Sequence, residues 1–166
     1  MALRTITNLF ATPQGRHLAS TSAPAIISLL GRISGVEGDQ GPIAPENNNL
    51  QIALTSAAFN FACLAFNERG AVELEQLMLL CQVAEAVIKT QGDVEVLFRA
   101  LMTLGMVLAL GGDALDLART LEVGEPVMVA AKKGSGEGRI MTVARECCVF
   151  MVMDMPFCMG AGTSKS

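Results

Sequence analysis

Polar side chains recur at matching positions in three apolar helical segments of this chain. They form three pairs, which are Arg4 and Asn8, Ser56 and Asn60, and Arg99 and Thr103. The members of each pair are four residues apart, so both lie on one face of a helix. Arginine offers carboxylates a planar fork of donors, and the asparagine amide both donates to and accepts from the main chain of an extended peptide. A row of such side chains would bind an extended acidic segment.

The arginines of this row allow two interpretations. Arg4 and Arg99 stand in segments otherwise suited to burial, and a buried arginine requires a partner. Each arginine could line an open groove. Alternatively, each could form an internal ion pair with an acid of the same fold, and Glu95 is the nearest such acid to Arg99. The sequence leaves both interpretations open.

Residues that often perform catalysis or bind metals are not arranged for either role. The single histidine, His17, has no nearby Asp, Cys or Ser placed as a relay. Cys147 and Cys148 are adjacent in an apolar helix, where they point about 100° apart and cannot jointly bind a metal. The glycine-rich run 134–138 lacks the Lys-Ser or Lys-Thr and the preceding strand of a phosphate loop. The sequence therefore predicts a protein that is not an enzyme, with no metal site and no cofactor.

Composition favours an all-α fold. The chain has 166 residues, of which 51% are hydrophobic, and it contains 10 Met but no Trp or Tyr. The formal net charge of −4 argues against a nucleic acid partner, and the longest apolar run, Ala100–Gly112, is too short to cross a membrane. No secretory signal is visible. Five cysteines without metal spacing are predicted to be reduced, mostly in the core.

Helical periodicity predicts how the three polar pairs are positioned. Helices are expected over 1–11, 50–66, 72–89, 94–110, 114–121 and 140–153, with two shorter ones after Gly15 and after Ser22, and a loop over 35–49. The pairs recur at intervals of 52 and 43 residues, close to the roughly 40–47 of armadillo and HEAT repeats. An armadillo-like α-solenoid, a right-handed superhelix of helical repeats, is therefore predicted. Because the first helix begins without a cap, we expect further repeats upstream and an uncovered apolar face formed by Leu3, Ile6 and Leu9.

Several stretches of the sequence together resemble a known family. They are Ala2-Leu3-Arg4-Thr5 with Asn8 and Phe10, Gln51-Ile52-Ala53-Leu54-Thr55 with Asn60, Glu95-Val96-Leu97-Phe98-Arg99-Ala100-Leu101 with Leu104-Gly105, Asp116-Leu117-Ala118-Arg119-Thr120-Leu121, and Arg145-Glu146-Cys147-Cys148. In order and spacing these stretches resemble the C-terminal part of a PUL domain, the armadillo-like module that ends phospholipase A2-activating protein of the Doa/Ufd family. The resemblance covers residues 1–154 and leaves 155–166 as a flexible tail.

The resemblance implies a function. A PUL domain is a non-enzymatic adaptor that binds the acidic C-terminal tail of the hexameric Cdc48/valosin-containing AAA ATPase in a basic groove, in ubiquitin-dependent protein turnover in the cytoplasm and also the nucleus. Arg4 and Arg99 match the groove-facing arginine positions, and Ser56 departs from arginine at the middle repeat. PUL domains also occur behind thioredoxin-like or deSUMOylating-peptidase-like domains. The alternative is thus a helical C-terminal domain of a larger enzyme whose catalytic part lies outside this chain.

Overall fold

The described part of the chain is helical throughout. The computed structural model describes residues 2–38, 47–90 and 93–151, and within these ranges it contains nine helices and no strand. The helices are α1 (Ala2–Leu9), α2 (Pro13–Thr21), α3 (Ala23–Ser34), α4 (Asn48–Asn67), α5 (Leu74–Thr90), α6 (Val94–Ala109), α7 (Gly112–Thr120), α8 (Gly124–Lys133) and α9 (Gly138–Met151). The predicted all-α class is confirmed. The predicted tail 155–166 and Cys158 lie outside the described residues.

The helices pack in two rows. In the first row α1 contacts α4, α4 contacts α6, and α6 contacts α9. In the second row α3 contacts α5, and α5 contacts α7 and α8. The rows meet along large, fully buried side chains such as Leu54, Phe61, Leu80, Leu97 and Leu104. This arrangement is compatible with the predicted armadillo-like α-solenoid.

Contacts between helices of the first row join residues about one predicted repeat apart. Asn48 of α4 bonds Asp93 at the start of α6 across 45 residues, and Arg99 of α6 bonds Ser56 of α4 across 43. The thiol of Cys147 in α9 lies 3.9 Å from the Leu101 carbonyl oxygen, 46 residues earlier. These separations agree with the roughly 40–47 residues of armadillo and HEAT repeats.

The first two helices approach each other closely. The chain breaks at residues 10–12, slightly before the predicted break at 12–15, and Thr12 caps α2 by accepting a hydrogen bond from the Gly15 N–H at 3.0 Å. Gly15 is inside α2, where a Cβ atom would lie 1.9 Å from the carbonyl oxygen of Leu9. The absence of a side chain at Gly15 therefore permits α1 and α2 to pack.

Two sequence-based expectations need correction. Helix α8 was not predicted, because it is short and contains Gly124 and Pro126. Its Pro126 is tolerated in the first turn, where backbone N–H groups have no intrahelical partner. The expectation of an uncovered apolar face on α1 was wrong for Leu3 and Ile6, which are 6% and 9% exposed and belong to the core.

By length and composition, helix α4 could cross a membrane. Buried core helices pass the same test, and 50% of its apolar window is buried here.

Candidate peptide-binding surface

Arg99 lies at the centre of a polar cluster that joins three helices of the first row. Its Nε donates a hydrogen bond to Glu95 Oε1 at 2.8 Å, one turn earlier in α6. Its Nη1 donates to the hydroxyl of Ser56 on α4. The Arg99 side chain is 32% exposed, so a ligand can reach it from solvent. Arg99 therefore combines the two interpretations that the sequence left open, because it forms an internal ion pair and also lies on an accessible surface.

A second arginine completes the cluster from α9. Arg139 Nη2 donates to Glu95 Oε2 at 3.1 Å, and the Arg139 guanidinium carbon lies 4.9 Å from the centre of the Phe98 ring. This distance permits a cation–π interaction. We refer to Ser56, Glu95, Phe98, Arg99 and Arg139 as the Arg99 cluster. The sequence-based prediction missed Arg139, although it follows Glu95 by 44 residues, which is close to the predicted repeat period.

The Arg99 cluster carries a net positive charge. Its two guanidiniums share one carboxylate, which leaves a formal charge of +1. The hydrogen bond from Arg99, followed by the positive charges of Arg99 and Arg139, lowers the pKa of Glu95 from its ordinary value of 4.5. Glu95 is therefore ionised at neutral pH. Each arginine keeps N–H donors that Glu95 does not use, and these can bind a further carboxylate.

Ser56 leaves room on α4 for a basic side chain, Arg99 of α6, to reach the middle position of the predicted polar row. The serine is small, and its hydroxyl donates to the carbonyl oxygen of Ile52 while accepting from Arg99. A longer residue at this position would occupy the space into which Arg99 extends. Serine stands on α4 where the resemblance led us to expect arginine, and an arginine from α6 extends over α4 to this position.

Asn60 lies one turn beyond Ser56, at the edge of a cavity between α4 and the α1–α2 turn. The cavity has a volume of about 530 Å³ and is lined by Phe10, Arg16, Asn60, Cys63, Leu64, Asn67 and Glu68. Arg16 Nη1 donates to the Phe10 carbonyl oxygen at 3.2 Å, and the Phe10 ring packs edge-to-face on Phe61 with ring centres 5.0 Å apart. Asn60 therefore borders an open, mixed polar and apolar site beside the predicted row.

The remaining predicted site residues, Arg4, Asn8 and Thr103, differ in their exposure to solvent. Arg4 and Asn8 are exposed on α1, which packs beside α4, and neither is a member of the Arg99 cluster. Thr103 is fully buried, and its hydroxyl donates to the carbonyl oxygen of Arg99 at 2.9 Å. A threonine can be buried in this way because its hydroxyl is satisfied within its own helix. The structure thus brings Ser56 and Arg99 together, whereas Thr103 is not part of the candidate surface.

Residues with catalytic potential are not members of the Arg99 cluster. His17 is exposed on α2, whereas Cys81, Cys147 and Cys148 are buried. Burial raises the pKa of both Cys81 and Cys147 to about 12, so neither forms a nucleophilic thiolate at neutral pH. Within residues 2–38, 47–90 and 93–151 no group of three His, Cys, Asp or Glu side chains could hold a metal ion.

Comparison with known proteins agrees with the resemblance found in the sequence. The family model of the PUL domain matches residues 1–146. The match spans α1–α8 and most of α9, so it includes every member of the Arg99 cluster. No solved structure matches the chain. PUL domains are protein-binding modules rather than catalytic domains. The chain therefore belongs to the PUL domain family.

Proposed function

We propose that this domain binds the acidic C-terminal peptide of a Cdc48/valosin-containing type AAA ATPase through the Arg99 cluster. The observation that carries the proposal is the pair of guanidiniums, Arg99 and Arg139, which come from neighbouring helices and share one accessible surface. Bidentate pairing with carboxylates is the interaction for which the arginine fork is best suited.

The flanking residues support an extended ligand rather than a single anion. Asn60 borders the cavity on one side of the cluster, and Arg4 and Asn8 are exposed on the adjacent α1. Asparagine amides pair with peptide main chain, and arginines pair with acidic side chains or a terminal carboxylate. A peptide that follows the first row from α9 to α1 would meet both kinds of group.

In the cell, we propose, the domain acts as an adaptor in ubiquitin-dependent protein turnover, in the cytoplasm and nucleus. Membership of a family of protein-binding modules supports this role. If the chain instead belongs to a larger enzyme, its parent sequence should contain a Cys-His peptidase or a Cys-x-x-Cys thioredoxin motif. A WD-repeat propeller upstream would favour the adaptor.

The proposal is tested by reversing the charge at Arg99. We expect Arg99→Glu to weaken binding of the ATPase tail peptide about thirtyfold or more, because the lost attraction and the added repulsion are together worth roughly 2–4 kcal/mol. Isothermal titration calorimetry with the 166-residue chain measures this change. Because Arg99 is one-third exposed, the melting temperature should fall by only a few degrees.

A matched variant controls for the change in net charge. Arg32 is exposed on α3, in the second row, so Arg32→Glu changes the net charge equally at a distance from the cluster. It should retain binding within about twofold. The assignment of the Arg99 cluster as the binding surface would be contradicted by unchanged affinity in a folded Arg99→Glu protein. Equal losses of affinity in Arg99→Glu and Arg32→Glu would contradict it as well.

A further inference from the structure

Glu95 contacts both arginines of the candidate surface. Among the ion pairs of the described residues, it is the only acid that pairs with two cations. Its two oxygens are divided between them, with Oε1 accepting from Arg99 at 2.8 Å and Oε2 accepting from Arg139 at 3.1 Å. This is the position and geometry that a carboxylate of a bound acidic peptide would adopt.

The two arginines have other contacts that hold them in place. Arg99 also bonds the Ser56 hydroxyl, and Arg139 also lies over the Phe98 ring. Neither guanidinium therefore depends on Glu95 alone for its orientation. Removing the charge of Glu95 should free donors on both arginines without dispersing them.

The Glu95 side chain is accessible enough to move. It is 36% exposed, and its pair with Arg99 is an i,i+4 pair on the surface of a helix. Exposed pairs of this kind contribute about 1 kcal/mol or less, because water screens the charges and two long side chains must be ordered. An incoming carboxylate can therefore displace Glu95 at low cost.

We propose that Glu95 is an internal competitor that occupies the Arg99 and Arg139 donors until an acidic ligand displaces it. The inference rests on the proposed function, because it assigns Glu95 a role at the same surface. A ligand with a single carboxylate only exchanges one acid for another at the two guanidiniums. A ligand with several neighbouring acids can also bond the released donors and therefore gains more binding free energy. Glu95 thus sets a preference for multiply acidic peptides.

The test removes the charge of Glu95 and keeps its shape. Glu95→Gln should bind the ATPase tail peptide about tenfold more tightly than the wild type in isothermal titration calorimetry, since the competing charge and its repulsion of the ligand are both removed. Hexaglutamate, used as a second and generic acidic probe, should gain affinity by a similar factor. A hexaglutamine peptide should show no gain with the variant.

Glu85→Gln provides the matched control. Glu85 forms an i,i+4 pair with Lys89 on α5, in the second row, so this variant changes net charge by the same amount and also releases a cation. It should leave both affinities within about twofold of the wild type. If Glu85→Gln gains as much affinity as Glu95→Gln, a general charge effect explains the result and the inference is overturned.

The outcomes separate this inference from the proposed function. If Glu95→Gln binds hexaglutamate no more tightly than the wild type, or less tightly, Glu95 is not a competitor and the inference fails. If the variant gains for hexaglutamate while the ATPase tail peptide binds neither protein, the proposed partner is wrong and the competitor role stands. A gain for both probes supports both proposals.

Discussion

At the scale of single residues, the charge at the candidate surface is controlled by how one carboxylate is shared. Glu95 neutralises half of the charge of Arg99 and Arg139 and reduces the repulsion between these two cations, which Ser56 and Phe98 also contact. Like charges brought together without a counter-ion would repel. The same pairing therefore makes a modest contribution to stability and limits the attraction for an external acid.

This sharing predicts a pH dependence of stability. The pKa of Glu95 is lowered in the folded state, so its contribution is fully present above the unfolded value near 4.5 and is lost as pH falls through the folded pKa. Glu95→Gln lacks this contribution. The melting temperature of the wild type should exceed that of the variant by about 2–4 °C at pH 6.5, and the difference should shrink below pH 4.5.

Thermal melts of both proteins between pH 3 and 7 provide the measurement. Because the two chains differ at one titrating group, the remaining carboxylates contribute equally to both curves. If the difference in melting temperature between the wild type and Glu95→Gln is the same at pH 3.5 and pH 6.5, the charge of Glu95 does not stabilise the fold.

At the scale of helices, the position of α1 depends on Gly15, which was expected to precede the second helix but lies inside it. A Cβ atom at Gly15 would lie 1.9 Å from the Leu9 carbonyl oxygen, and that contact is with backbone, which cannot rotate away. The close approach lets Leu3 and Ile6 enter the core and places Arg4 and Asn8 on the surface.

Gly15→Ala should therefore lower stability, although alanine favours helix more than glycine does. Overpacking typically costs about 1–3 kcal/mol, which corresponds to roughly 2–12 °C in melting temperature for a chain of this size. Thermal circular dichroism measures the change. Gly136→Ala is the matched control, because a Cβ there meets nothing within 4 Å, and it should melt within about 2 °C of the wild type. Equal melting of Gly15→Ala and the wild type would contradict the close packing of α1 on α2.

At the scale of the whole molecule, the sequence predicted the helices better than the relations between them. Apolar periodicity located both ends of α4, α5 and α6 and the start of α9 to within about two residues, because that signal is local. Burial depends on how neighbouring helices approach, and periodicity carries little information about it. Arg99 and Thr103 thus looked equivalent as a polar pair, yet one lies on the surface and the other is sealed between helices. Arg139 escaped notice because its partner Glu95 is 44 residues away.

The net charge of the whole chain yields a last prediction. A chain with a formal charge of −4 repels an acidic peptide at long range, whereas the Arg99 cluster attracts it at contact. Salt screens both interactions, with opposite effects on the affinity. Weaker repulsion raises the affinity, whereas weaker attraction lowers it. At 0.15 M salt the Debye length is already about 8 Å, so distant charges are largely screened and the local cluster dominates further changes.

We therefore expect affinity for the ATPase tail peptide to fall about three- to tenfold between 0.15 M and 1 M NaCl, measured by calorimetric titration. Arg99→Glu should show a flatter dependence, since the attraction that salt weakens has been removed. Affinity that rises with salt in the wild type would mean that net repulsion governs the encounter. The peptide would then bind mainly through apolar contacts, for which the cavity beside Asn60 offers Phe10 and Leu64.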